Sequence, residues 1–114
     1  GHAAGELKHG PLALIEKGVP VIVLAPSDKY FDKTMSNLQE IKTRGGEIIL
    51  ITDSKGYKKS YNLSKKTICL PSSNLLTAPI LYALPLQLIA YYTATLLGTD
   101  VDQPRNLAKS VTVE

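Results

Sequence analysis

The sequence contains a single cysteine, Cys69, among its 114 residues, so it closes no internal disulfide. Such a chain suits a reducing compartment, the cytoplasm. Cys69 lies in the apolar run Thr67-Ile68-Cys69-Leu70, which predicts a buried structural thiol rather than a nucleophile. An excess of one charge is also missing. Thirteen basic against ten acidic residues leave a net charge of +3, too little to argue for nucleic acid. The local cluster Lys55, Lys58, Lys59, Lys65 and Lys66 reads as a solvated face, because no recognisable nucleic-acid module accompanies it. There is no Gly-rich phosphate loop, no Cys/His spacing for zinc and no Gly-x-Ser-x-Gly elbow, so neither cofactor nor metal is expected. One apolar stretch, Leu75 to Leu97, is long enough to cross a membrane, but Pro79, Pro85, Gln87, Tyr91 and Tyr92 interrupt it. It predicts a buried helix instead. No signal peptide opens the chain, and Gly1-His2 reads as the remnant of a cleaved tag, which removes His2 from consideration.

What is present is an ordinary globular composition, 44% hydrophobic and 20% charged, in a length suited to one small domain. Val19 to Ala25, Glu47 to Thr52 and Thr67 to Leu70 are short apolar runs ended by turn residues. Continuous β-branched runs without alternation predict strands of a parallel sheet. Between the first two, Phe31, Met35, Leu38 and Ile41 recur at helical spacing, with Ser27 or Asp28 as a candidate cap and Gly45-Gly46 as the stop. Strand, helix and strand make a right-handed βαβ unit. Tyr57 to Lys66 has no clean period. A last helix is expected over Pro79 to Leu97, bent at Pro85, apolar nearly all round and therefore buried. Leu7 to Ile15 is a short apolar segment around His9-Gly10-Pro11 with no strand before it. The fold class is α/β, with about three strands and the look of a domain truncated on its N-terminal side.

The tail is more specific. Gly98-Thr99-Asp100-Val101-Asp102-Gln103-Pro104-Arg105-Asn106-Leu107-Ala108-Lys109-Ser110-Val111-Thr112-Val113-Glu114 closely resembles the C-terminus of the glutamine–fructose-6-phosphate aminotransferases, also called glucosamine-6-phosphate synthases. Ala3-Ala4-Gly5-Glu6-Leu7-Lys8-His9-Gly10-Pro11-Leu12-Ala13-Leu14-Ile15 and Pro85-Leu86-Gln87-Leu88-Ile89-Ala90-Tyr91 resemble the same family, and the segments between fit in length and pattern. The resemblance implies a mostly parallel, three-layer, SIS-like (flavodoxin-like) fold. It divides the chain into residues 3–98, the later part of a sugar isomerase (SIS) domain, and the active-site tail 99–114. It implies a homodimer acting on fructose 6-phosphate and glucosamine 6-phosphate, with glutamine serving through a glutaminase domain absent here.

The resemblance also assigns residues. Lys109 matches the lysine that forms an imine with the sugar ketone. An amine attacking C2 creates an electron sink that acidifies C1, and desolvation or a cation such as Arg105 would help expose the amine. His9 matches the histidine implicated in ring opening, which in the family serves the neighbouring subunit's site. Moving a proton from the anomeric hydroxyl to the ring oxygen suits imidazole. Ala108 is carried over as a sugar-site residue through its backbone. Arg105 is expected to anchor the tail, and Asp100 and Asp102 read as solvated or capping. A glutaminase and a first SIS domain are absent, so these residues alone are expected to lack synthase activity. Two alternatives remain: a non-catalytic phosphosugar-binding module and a dimerisation module. Neither needs the tail lysine.

Overall fold

A computed structural model describes residues 1–103. Three strands, β1 (Pro20–Ala25), β2 (Glu47–Asp53) and β3 (Lys66–Leu70), form one sheet in the order β1-β2-β3. Both pairings are parallel; Ala25 lies opposite Thr52, and Thr52 opposite Cys69. Helix α1 (Phe31–Thr43) joins β1 to β2, and the short α2 (Ser54–Ser60) joins β2 to β3. The long α3 (Ala78–Leu96) follows β3. The α/β architecture with a parallel sheet is as the sequence predicts, with element ends within a residue or two.

Helices α1 and α2 lie on one face of the sheet, where Gly56 of α2 meets the Phe31 ring of α1, the arrangement that two crossovers of the usual right hand made in the same direction produce. Phe31, Leu38 and Ile41 of α1 bury against Ala25, Ile48 and Leu50, with Val21, Val23 and Met35 packed alongside. Helix α1 ends at Gly45, whose φ of +85° is left-handed. The Gly46 N–H donates to the Ile41 carbonyl at 3.1 Å and the Gly45 N–H to that of Lys42 at 2.9 Å, a Schellman closure that turns the chain into β2.

Segment 7–15, read from the sequence as a short apolar stretch around His9-Gly10-Pro11, lies across two 3-10 turns, Ala4–His9 and Pro11–Leu14, separated by Gly10. Three expectations need correction. Ser27 does not cap α1, because Asp53 takes it; Asp28 accepts from the Tyr30 N–H instead, and the helix begins with no side-chain cap. Cys69 is exposed: among the described residues β3 is an edge strand with a neighbour on one side only. And α3 is not buried: only Tyr82 and Pro85 are, so most of its apolar surface is open.

Gly56 in α2 shows how tightly that helix meets the sheet. A β-carbon there would overlap the Thr52 hydroxyl and come within 2.8 Å of the Phe31 ring. The Thr52 hydroxyl cannot yield easily, since it donates to the Ala25 carbonyl at 2.6 Å. Gly56→Ala is therefore expected to cost about 1–3 kcal/mol by overpacking, despite the better helix propensity of alanine. Urea unfolding would read this as a lower midpoint at unchanged slope.

Candidate functional site

Parallel α/β sheets present their binding groups at the carboxyl ends of the strands. Here that edge is organised by Asp53, the last residue of β2 and the N-cap of α2. Its Oδ1 accepts the backbone N–H groups of Lys55 and Gly56, both at 3.0 Å. Its Oδ2 accepts the Ser27 N–H at 2.9 Å and the Ser27 hydroxyl at 2.6 Å. The carboxylate thus ties the loop leaving β1 to the start of α2. Burial pushes its pKa up, but the Ser27 hydroxyl and the N–H groups of Gly56, Ser27 and Lys55 outweigh that, and the net shift is downward. A carboxylate with its lone pairs so occupied is a poor general base and a good clamp.

Tyr82 of α3 reaches the same end of the sheet. It is 4% exposed, and its hydroxyl has no hydrogen-bond partner among the described residues. Burial, then the negative charges of Asp53, Cys69 and Asp28, push its pKa up to about 12. The neutral phenol is therefore its form at every physiological pH.

His9 lies elsewhere, at the exposed end of the first 3-10 turn. Leu7 packs against the core, and the Lys8 ammonium pairs with Glu40 of α1 at 2.8 Å. These two anchors hold the turn while the His9 side chain makes no hydrogen bond or ion pair among the described residues. An unengaged imidazole on a braced surface turn can serve something outside these residues. Arg105, Ala108 and Lys109 lie outside the described residues. Asp100 caps its own turn, accepting the Asp102 N–H at 2.8 Å and the Gln103 N–H at 3.2 Å.

Sequence reasoning missed the Asp53 clamp, although a signal for it is there. Asp53-Ser54-Lys55-Gly56 reads as a turn, but Asp before a basic, weakly periodic heptad also satisfies an N-cap rule. Among the described residues, no helix is long and apolar enough to cross a membrane.

Comparison with known proteins gives this edge its context. The chain is 63% identical, over its whole length, to a glutamine–fructose-6-phosphate aminotransferase [isomerizing] of Rhizobium meliloti (strain 1021). It is 64% identical, again over its whole length, to that of Bartonella henselae. It spans 19% of the length of each. A solved structure described as the C-terminal domain of glucosamine-fructose-6-phosphate aminotransferase from Francisella tularensis aligns at a TM-score of 0.81 with 43% identity, covering 90% of this chain and 29% of that one. At that identity the likeness reaches beyond fold. The SIS domain profile matches residues 1–97, all three strands and α3 included, and the chain belongs to the SIS domain family.

Proposed function

We propose that these residues are the C-terminal part of the isomerase half of a glutamine–fructose-6-phosphate aminotransferase, which makes glucosamine 6-phosphate from fructose 6-phosphate and glutamine-derived ammonia. The observation that carries this reading is identity above 60% running through all 114 residues, tail included. Lys109 is the imine-forming amine, Ala108 lines the sugar through its backbone, and Arg105 holds the tail. Residues 3–98 are the SIS portion and 99–114 the tail. Sugar phosphate substrates and a lone, exposed thiol support a cytoplasmic location. With no glutaminase part and no first sugar-binding domain, these residues alone are inactive.

His9 is the ring-opening acid/base, and it acts in the partner subunit of a homodimer. Its exposure on an anchored turn supports that role. Full-length His9→Asn is expected to lose about 100-fold in kcat, the usual contribution of a positioned proton-transfer group. Mixing it with Lys109→Ala subunits tests the arrangement. About half of the randomly paired dimers then carry one intact site of two, so activity returns to about a quarter of wild type. No recovery on mixing would place His9 in its own subunit's site.

A further inference from the structure

The proton transfer assigned to His9 is demanding in geometry. Opening the ring breaks the C2–O5 bond of the hemiketal. The C2 hydroxyl gives up its proton and becomes the ketone, while O5 takes a proton, so none is gained or lost overall. One imidazole must therefore reach both oxygens, and it sits on a segment with little stiffness of its own. Ala4–His9 is a 3-10 turn with no side-chain cap, and the hydrogen bonds of such turns are poorly aligned. Gly10 follows at a φ of +145°, a conformation that leaves the backbone beside His9 permissive.

The turn has three sides, because residues three apart eclipse one another. Ala4 and Leu7 form one side and are the half-buried residues of the turn. Glu6 and His9 form the side open to solvent. Gly5 and Lys8 form the third, and there the turn does not lie flush on α1. An open cleft of about 600 Å³ lies between them, lined by Ala4, Gly5 and Lys8 from the turn and by Lys33 and Asn37 from α1. The Lys8–Glu40 ion pair, at 2.8 Å, ties this third side to α1. Glu40 has a firm base, since Leu38 and Ile41 beside it are buried in the core.

Contact through Ala4 and Leu7 alone is one apolar line about which the turn can rock. For a side chain about 6 Å from the axis, a rock of about 10° moves the tip by about 1 Å, and misplacement on that scale can cost about 100-fold in rate. A tie on a second side stops the rocking. Folding stability is not what this pair supplies, because exposed ion pairs add little to it. We infer that Glu40 is a positioning residue for His9: by pairing with Lys8 it fixes the roll of the turn and so aims the imidazole at the neighbouring subunit's sugar. This rests on the proposal that His9 opens the ring.

The test uses the full-length protein and two ketoses, fructose 6-phosphate and 5-deoxyfructose 6-phosphate. The second has no O5, and its O6 carries the phosphate, so it cannot close a ring and needs no opening. Glu40→Gln removes the charge at nearly constant size and should leave the urea midpoint close to that of wild type. It should lower kcat on fructose 6-phosphate by about 10-fold, with KM little changed, and kcat on the open-chain ketose by less than about twofold. Glu40→Lys alone should be at least as impaired. Lys8→Glu combined with Glu40→Lys rebuilds the pair in reverse and should recover to within about threefold of wild type. An unchanged kcat for Glu40→Gln, an equal loss on both ketoses, or no recovery in the reversed pair would each overturn the inference. If the reversed pair does not fold, the two-ketose comparison on Glu40→Gln decides alone. His9→Asn separates the two levels of the argument. If its loss is confined to fructose 6-phosphate while that of Glu40→Gln is not, the positioning role alone fails. If His9→Asn loses equally on both ketoses, the ring-opening reading fails and takes this inference with it.

Discussion

Replacing Lys109 by alanine in the full-length protein should abolish formation of glucosamine 6-phosphate, by on the order of 1,000-fold or more, and leave glutamine hydrolysis largely intact. The asymmetry follows from what the amine does. Proton transfer between C1 and C2 of a ketose needs a sink for the electron pair left at C1, and a ketone is a weaker one than a protonated imine. Removing the amine removes the covalent route, and neighbouring groups cannot replace it. Lys109→Arg should be as inactive, since guanidinium keeps its proton and cannot attack a carbonyl. Borohydride reduction in the presence of fructose 6-phosphate should trap a secondary amine on Lys109 in the wild type and none in either variant. Equal loss of both activities would mean a folding defect. Retention of sugar turnover would remove the imine from the mechanism and leave a binding module as the better reading.

The second large effect concerns Asp53. Asp53→Ala leaves the Ser27 hydroxyl and the N–H groups of Ser27, Lys55 and Gly56 without their acceptor, all of them at a nearly closed edge of the sheet. Loss of an N-cap together with a second loop's tether should cost about 2–4 kcal/mol, seen as a lower urea midpoint. Asp53→Asn keeps one acceptor oxygen but turns an amide toward donors, and should fall between the two. The clamp also has a pH signature. Because the folded carboxyl has its pKa lowered, its contribution is complete above the unfolded value of 3.8 and is lost as pH falls through the lower, folded value. Wild type should therefore lose stability on acidification below about pH 4 more steeply than Asp53→Asn, with the curves converging at the acid end.

The strands are legible in the sequence because continuous β-branched runs between turn residues suit only a sheet covered by other elements, and α1 because its apolar stripe has one period and a glycine stop. Other parts are hidden for physical reasons. Helix α2 is seven residues long with a glycine inside it, too short for a period to show. Its glycine is there for Thr52 and Phe31, contacts that sequence spacing does not encode. The apolar character of α3 is plain from its residues, but its burial does not follow. Composition tells that a surface avoids water, while the element that covers it need not lie within these residues. Cys69 misleads for a related reason: its neighbours are apolar, but among the described residues the strand it sits on has a free side. At the site, His9 and the tail residues come from likeness to a family, whereas the Asp53 clamp arises from two loops that only folding brings together.

That clamp joins positions 26 residues apart through a single carboxylate. Turning that carboxylate away frees the donors of the β1 exit and of the first turn of α2 together, so the two loops at the carboxyl edge of the sheet are coupled through one side chain.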